Sequence, residues 1–327
     1  EKVLKVYKND PEANYLGAVL AFKQQQYDLA EDRLNNVIRV SPEHREAVLL
    51  LGRLNYQQKD YQQAAHYLEQ TVSEQPANKA AQALLGKTYM MLGQYDEAER
   101  KLRSVKSESV DDAELLALVG MVKMKSGDAS TGVEELENAL ALNPDDKRIR
   151  GELVNAYLAS GNTTSAIKLL EKSLDSGEDD QQFRSMLLLS YVRAGEYDKA
   201  HALADELIAK NPQQVSAYNL KAVVYEGEGN IAAAKENYDK VLSVEKDNRL
   251  ALFGLANIDL SQGNDDSAEA RYQKILEKLP ANAAALVGLA KLQAKKGQNK
   301  QALTTLNKAR ETNPQALEAR LILANFY

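Results

Sequence analysis

The chain has 327 residues, with 41 Lys and Arg against 47 Asp and Glu and a net charge of −6. These charges are interleaved with no basic block, which argues against nucleic acid or an anionic membrane surface as the main partner; no apolar run approaches the roughly 18 residues that a membrane span needs. The absence of cysteine excludes disulfides, thiol nucleophiles and thiolate metal sites.

Ala or Gly recurs at a step of 34 residues: Ala30, Ala64, Ala98, Gly132, Ala166, Ala200, Ala234, Ala268 and Ala302, with no insertion or deletion between them. A small side chain at a fixed point lets two helix backbones approach closely. With position 1 of the repeat placed at Pro11, later repeats begin at Arg45, Lys79, Ala113, Lys147, Gln181, Val215, Arg249 and Ala283.

In chain order, residues 1–10 (EKVLKVYKND) read as the tail of a second helix. Repeats 1 and 2 each predict a helix, a turn at Gln25 or Lys59, a second helix opening at Tyr27 or Tyr61, and a stop at Pro42 or Pro76. From repeat 3 the turn carries glycine, at Gly93, Gly127, Gly161, Gly195, Gly229, Gly263 and Gly297. Glycine ends a helix there because it takes positive φ at low cost. Tyr95 and Tyr197 open second helices in repeats 3 and 6, and Pro144, Pro212, Pro280 and Pro314 close those of repeats 4, 6, 8 and 9. These two positions take 13 of the 24 Gly and Pro residues, so they punctuate the chain rather than mark low complexity.

Inside the first helices, position 8 is small at Ala18, Gly52, Gly86, Gly120, Ala222, Ala256 and Ala290. Position 11 is Tyr at Tyr89, Tyr157, Tyr191, Tyr225 and Tyr327. The doublets Asp111-Asp112, Asp145-Asp146 and Asp179-Asp180 precede a first helix and are expected to cap it, with Asp265-Asp266 read the same way in repeat 8. Residues 317–327 supply most of a first helix, leaving Leu321, Ile322 and Phe326 without a covering helix. Both ends are therefore expected to fall inside a repeat, as in a slice of a longer array.

No chemistry is legible. His44, His66 and His201 sit at different positions of three repeats, with no i, i+4 ligand pair. There is no phosphate-binding glycine loop and no nucleophile elbow. A regular repeat spreads its carboxylates along its faces rather than pairing two in a dry pocket. The reading is a non-enzyme, with no catalytic, cofactor-binding or metal-binding residue.

Small residues at positions 8 and 20, aromatics at 11 and 17, Gly near 15 and Pro at 32 resemble the tetratricopeptide (TPR) repeat over the whole chain. Position 4, often Trp in that family, here varies from Asn14 to Leu286. The resemblance implies an all-α fold: one α-solenoid over 1–327, a right-handed superhelix of about nine full helix–turn–helix repeats. It also implies a binding scaffold whose first helices line a concave face through positions 2, 5, 9, 12 and 13, taking an extended or helical protein segment.

All five methionines fall on first helices. Met90 and Met91 stand at positions 12 and 13 of repeat 3, Met121 and Met124 at 9 and 12 of repeat 4, and Met186 at position 6 of repeat 6. Such a stripe suits an apolar partner, and equally fills gaps between helices. With Arg53, Tyr56, Lys87 and Asn155, the first four form the candidate partner-binding set; Tyr15, Phe22, Asn219, Phe253, Asn257 and Lys291 share those positions. The carboxylate clamp of chaperone-binding TPRs, Lys at position 5 with Asn at position 9, has no match in any repeat.

The stretches 190–212 and 217–297, with Leu255–Leu260 shortly before Gly263 and an Ala270-Arg271-Tyr272 helix after it, resemble the TPR lipoproteins (PrsT) of exosortase (PEP-CTERM) systems. That resemblance implies a bacterial envelope protein, periplasmic or anchored at the outer membrane, linked to exopolysaccharide production and surface-protein sorting. Another envelope polysaccharide export or assembly scaffold, and the TPR segment of a cytoplasmic regulator, remain open on the residues.

Overall fold

A computed structural model describes residues 9–104, 112–175, 180–312 and 320–323. Residues 1–8, Asp111, Asp179, Pro314, Phe326 and Tyr327 of the expectations above lie outside these. The chain forms two compact units, Glu1–Ala166 and Ile167–Tyr327.

Among the described residues there are eighteen numbered helices and no strand. Repeats 1 to 5 supply α1 (Pro11–Lys23), α2 (Tyr27–Val40), α3 (Arg45–Gln57), α4 (Tyr61–Glu74), α5 (Lys79–Met91), α6 (Tyr95–Arg103), α7 (Ala113–Ser126), α8 (Ala129–Leu142), α9 (Lys147–Ala159) and α10 (Thr163–Asp175). Repeats 6 to 9 supply α11 (Gln181–Ala194), α12 (Tyr197–Lys210), α13 (Val215–Glu228), α14 (Ile231–Val244), α15 (Arg249–Ser261), α16 (Asp265–Lys278), α17 (Ala283–Lys295) and α18 (Asn299–Thr312). Every first helix starts at position 1 of the repeat and every second helix at position 17.

Local chemistry sets these bounds. Asp112 accepts the Leu115 amide at 3.2 Å, Asp146 those of Arg148 and Ile149 at 2.9 and 3.1 Å, and Asp180 those of Gln182 and Phe183 at 2.8 and 3.3 Å. These carboxylates satisfy amides that the first helical turn leaves open. Asp265 and Asp266 behave differently. They lie in the first turn of α16, but their carboxylates reach Lys295 and Lys296 of the next repeat at 2.7 and 2.8 Å, so they join repeats instead of capping. Between the two helices, all seven glycines at position 15 have φ between 74° and 94°. Gln25 and Lys59 are held in the same left-handed turn, at 59° and 65°. The repeat geometry imposes the turn whether or not the residue suits it.

Packing follows the same ruler. The eight alanines at position 20 are fully buried. Leucine at position 24 of the second helix sits against the small residue at position 8 of its own first helix. A Cβ added at Gly86 would lie 2.5 Å from Leu102, and one at Gly52 or Gly120 2.8 Å from Leu68 or Leu136. In repeats 7 and 8 position 24 is instead Tyr238 or Tyr272, both buried. Each ring fills the space left by a glycine at position 6 of the following repeat, Gly254 or Gly288. At the C-terminal side Leu323 packs on Ala290 and Leu306, while Leu321 is exposed.

Polar struts tie one repeat to the next. Tyr89, Tyr157 and Tyr191 at position 11 donate to Glu69, Glu137 and Glu171 at position 25 of the preceding repeat, at 2.5 Å for Tyr157 and 2.7 Å for Tyr191. Burial, then the hydrogen bond to glutamate, raises the pKa of all three phenols.

Candidate partner-binding site

The first helices of repeats 1 to 3 and the start of α7 enclose a groove of about 650 Å³, within the range of pockets that take ligands. Its apolar floor comes from Phe22 and Tyr56 at position 12, Leu49 and Ala83 at position 5, and Leu84 and Leu115 beside them. Tyr56 is anchored edge-on to Tyr61 at 5.6 Å, and burial raises the pKa of its hydroxyl. Phe22 leans on Tyr27 at 5.9 Å. Tyr27 and Tyr61 at position 17 thus brace the aromatic floor from behind.

The rim is charged. Arg53 and Lys87 at position 9, Lys79 at position 1, Asp112 and Glu114 all line the groove. Lys87 Nζ is 3.3 Å from Glu114 Oε1, and Asp112 is engaged in the α7 cap. The arrangement offers an apolar bed with hydrogen-bonding and ionic groups at its edge, suited to holding a chain.

Arg53, Tyr56 and Lys87 of the candidate set are brought together here. The methionines lie elsewhere. Met90 and Met121 are half-buried against the cluster that holds Leu85, Tyr89 and Leu118. Met124 turns back onto its own hairpin, where a Cβ at Gly132 would lie 2.7 Å from its sulfur. Repeat 4 has glycine where its neighbours have alanine, and the thioether fills that space. Met91 is exposed at 44%, and Asn155 is exposed on α9. Lys79, Leu49, Ala83 and Leu84 are groove residues that the candidate set omits. Leu49 and Ala83 stand at position 5, so the positional rule reaches them; Lys79 and Leu84, at positions 1 and 6, lie beyond it.

Fold and groove define an all-α helical-repeat protein with an apolar, charge-rimmed groove lined by first helices. Tetratricopeptide repeat models match residues 55–122, 123–189, 225–278 and 260–326, and a second such model residues 15–67 and 185–234. The chain belongs to the tetratricopeptide repeat family. No curated protein matches it. Among solved structures, a tetratricopeptide repeat protein from Parabacteroides merdae is 16% identical with a TM-score of 0.52, covering 86% of this chain and 98% of that one. The C-terminal part of a TPR repeat-containing protein from Cytophaga hutchinsonii is 19% identical with a TM-score of 0.50, covering 73% and 98%. Pseudomonas aeruginosa pilF is 13% identical with a TM-score of 0.50, covering 65% and 96%. At these identities the likeness is one of fold. Among the described residues, no helix is long and apolar enough to cross a membrane.

Proposed function

We propose that this chain is a non-catalytic protein–protein interaction scaffold, and that the groove over repeats 1 to 4 seats an extended or helical segment of a partner protein. The observation that carries the reading is the groove itself. Positions 2, 5, 9, 12 and 13 of successive first helices converge on one apolar concavity with a charged rim. The half-buried Met90 and Met121 pack on the same cluster as Leu49, Tyr56, Ala83 and Leu84 of the floor, and Met124 packs within the repeat 4 hairpin. The unbroken 34-residue register over nine repeats supports reading 1–327 as one repeat array. The resemblance of 190–212 and 217–297 to PrsT supports a place for this scaffold in bacterial exopolysaccharide production and surface-protein sorting.

A photo-crosslinking residue at Ala80, on the groove rim, tests the reading in cells. It is expected to capture a discrete partner, whereas the same residue at Gln62, exposed on α4, is not. Ala83→Arg, which fills the groove, is expected to remove that capture. Capture that is equal at both sites, or unchanged by Ala83→Arg, overturns the proposal.

A further inference from the structure

We propose that the segment seated in this groove is acidic as well as apolar, and that Arg53 and Lys79 receive its carboxylates. The inference rests on the reading of the groove as a protein-binding site and names the chemistry of its occupant. Three observations carry it.

First, the cations of the groove are not equivalent. Lys87 is neutralised by Glu114 at 3.3 Å. Arg53 and Lys79 line the same concavity, are exposed, and have no acidic partner among the described residues. This is a chain in which acids outnumber bases, 47 to 41; some cations elsewhere pair with carboxylates, as Arg103 does with Glu135 at 2.7 Å and Lys123 with Glu99 at 2.7 Å, and others, such as Lys125 and Arg193, stand in solvent.

Second, the acids of the groove are already engaged. Glu114 holds Lys87, and Asp112 holds the Leu115 amide. What the rim offers an incoming chain is positive, although the protein as a whole carries −6. Asp112 keeps its charge in the cap, but with Arg53, Lys79 and Lys87 against Asp112 and Glu114 the rim is positive by one, and a basic segment would meet that excess.

Third, the two cations flank an apolar floor. Tyr56 lies one helical turn from Arg53, and Ala83 one turn from Lys79. A seated apolar chain excludes water there, so an ion pair at the rim is stronger than on an open surface. Arg53 adds a planar fork that donates two parallel hydrogen bonds to a carboxylate. The two cations stand on neighbouring first helices, which pack about 8–10 Å apart. Positions 9 and 1 are also offset by about 12 Å along the helix axes at about 1.5 Å per residue. The two backbones therefore stand about 14–16 Å apart, and an extended chain rising about 3.3 Å per residue meets both cations with carboxylates about four to five residues apart.

The test is a selection of random dodecapeptides displayed against the intact protein, with a parallel selection on Ala83→Arg. Groove-dependent peptides are expected to carry Asp or Glu about four to five residues apart beside Leu, Phe or Tyr. By fluorescence anisotropy, changing those acids to Gln or Asn is expected to weaken binding about tenfold or more. Arg53→Ala with Lys79→Ala is expected to bring the acidic peptide down to the affinity of its amide form. Unchanged helical circular dichroism of that variant keeps the comparison one of binding, since both side chains are exposed.

Groove-dependent peptides without acidic residues, or indifferent to the double variant, overturn the inference and leave the binding site standing. A selection with no peptide sensitive to Ala83→Arg removes both. Displacement of the acidic peptide by a short single-stranded oligonucleotide, lost in the double variant, also overturns it, because the groove would then read polyanions rather than an apolar acidic segment.

Discussion

Exchanging leucine for tyrosine at position 24 of repeat 7 is balanced by a change one helix further on. Tyr238 stands where Leu34, Leu68 and Leu102 stand in repeats 1 to 3, and Gly254 stands where Leu50, Leu84 and Leu118 follow them. The Tyr238 ring lies directly against the Gly254 Cα, and its hydroxyl donates to Glu226 at 2.6 Å. Gly254→Leu alone forces a four-carbon side chain into space that the ring occupies, an overpacking of about 3 kcal/mol. Part of this is offset by the roughly 0.8–1 kcal/mol that leaving glycine adds to a helix. Tyr238→Leu alone opens a cavity beside Gly254 and frees Glu226 of its donor, about 2–3 kcal/mol together. The double variant restores the pairing of the early repeats and is expected to cost about 1–2 kcal/mol. The coupling energy is then about 2–4 kcal/mol, well above the roughly 0.3–0.5 kcal/mol scatter of independent sites. Repeat proteins depart from two-state unfolding, so the readout is native-state hydrogen exchange of α14 and α15. Additive single effects in this cycle would refute the knob-and-hole account, as would a double variant worse than Gly254→Leu.

Other outcomes follow from the same geometry. Gln25→Gly and Lys59→Gly relieve left-handed turns at 59° and 65°; each is expected to stabilise its hairpin by about 0.5–1 kcal/mol, measured by native-state hydrogen exchange of the two helices it joins. Gly86→Ala places a methyl 2.5 Å from Leu102 and is expected to cost about 1–3 kcal/mol in the same assay. Burial raises the Glu226 pKa above 4.5, against the opposing hydrogen bond from Tyr238. The folded state therefore holds this proton more tightly than the unfolded chain, so the contribution of Glu226 is fully present below about 4.5 and is lost as pH rises through its raised value. Glu226→Gln is expected to gain on the wild type between pH 4 and 7; parallel stability curves over that range would contradict the assignment.

Much of the fold was legible because the repeat geometry is local. The caps at Asp112, Asp146 and Asp180 and the turn at position 15 need only neighbouring residues, and nine in-phase copies repeat the signal. Even Gln25 and Lys59 could be placed in the turn from phase alone. What stayed hidden depends on which neighbour a side chain turns to. Met124 shares a helix face with groove positions, yet it goes to Gly132, a preference visible only by noticing glycine where eight other repeats have alanine. Asp265 and Asp266 fall one and two residues past the cap position, held by Asn264, in the first helical turn, and Lys295 and Lys296 of the next repeat take their carboxylates. Tyr238 and Gly254 are 16 residues apart on different helices, and their partnership appears only when two columns of the repeat are compared. Of the groove, the positional rule reached Arg53, Tyr56 and Lys87, together with Phe22 at position 12 and Leu49 and Ala83 at position 5. Lys79 and Leu84 stand at positions outside it, and their part in the rim and floor comes from three consecutive first helices converging.

The central claim is that a protein segment lies along α3 and α5. The chain has no cysteine, so a single Ala80→Cys reports on the groove rim and a single Gln62→Cys on α4 serves as the reference. With a groove-selected peptide bound, maleimide modification at Ala80→Cys is expected to slow at least tenfold while Gln62→Cys reacts at its free rate. Equal rates at Ala80→Cys with and without peptide, or slowing at Gln62→Cys instead, would place the partner elsewhere and contradict the account.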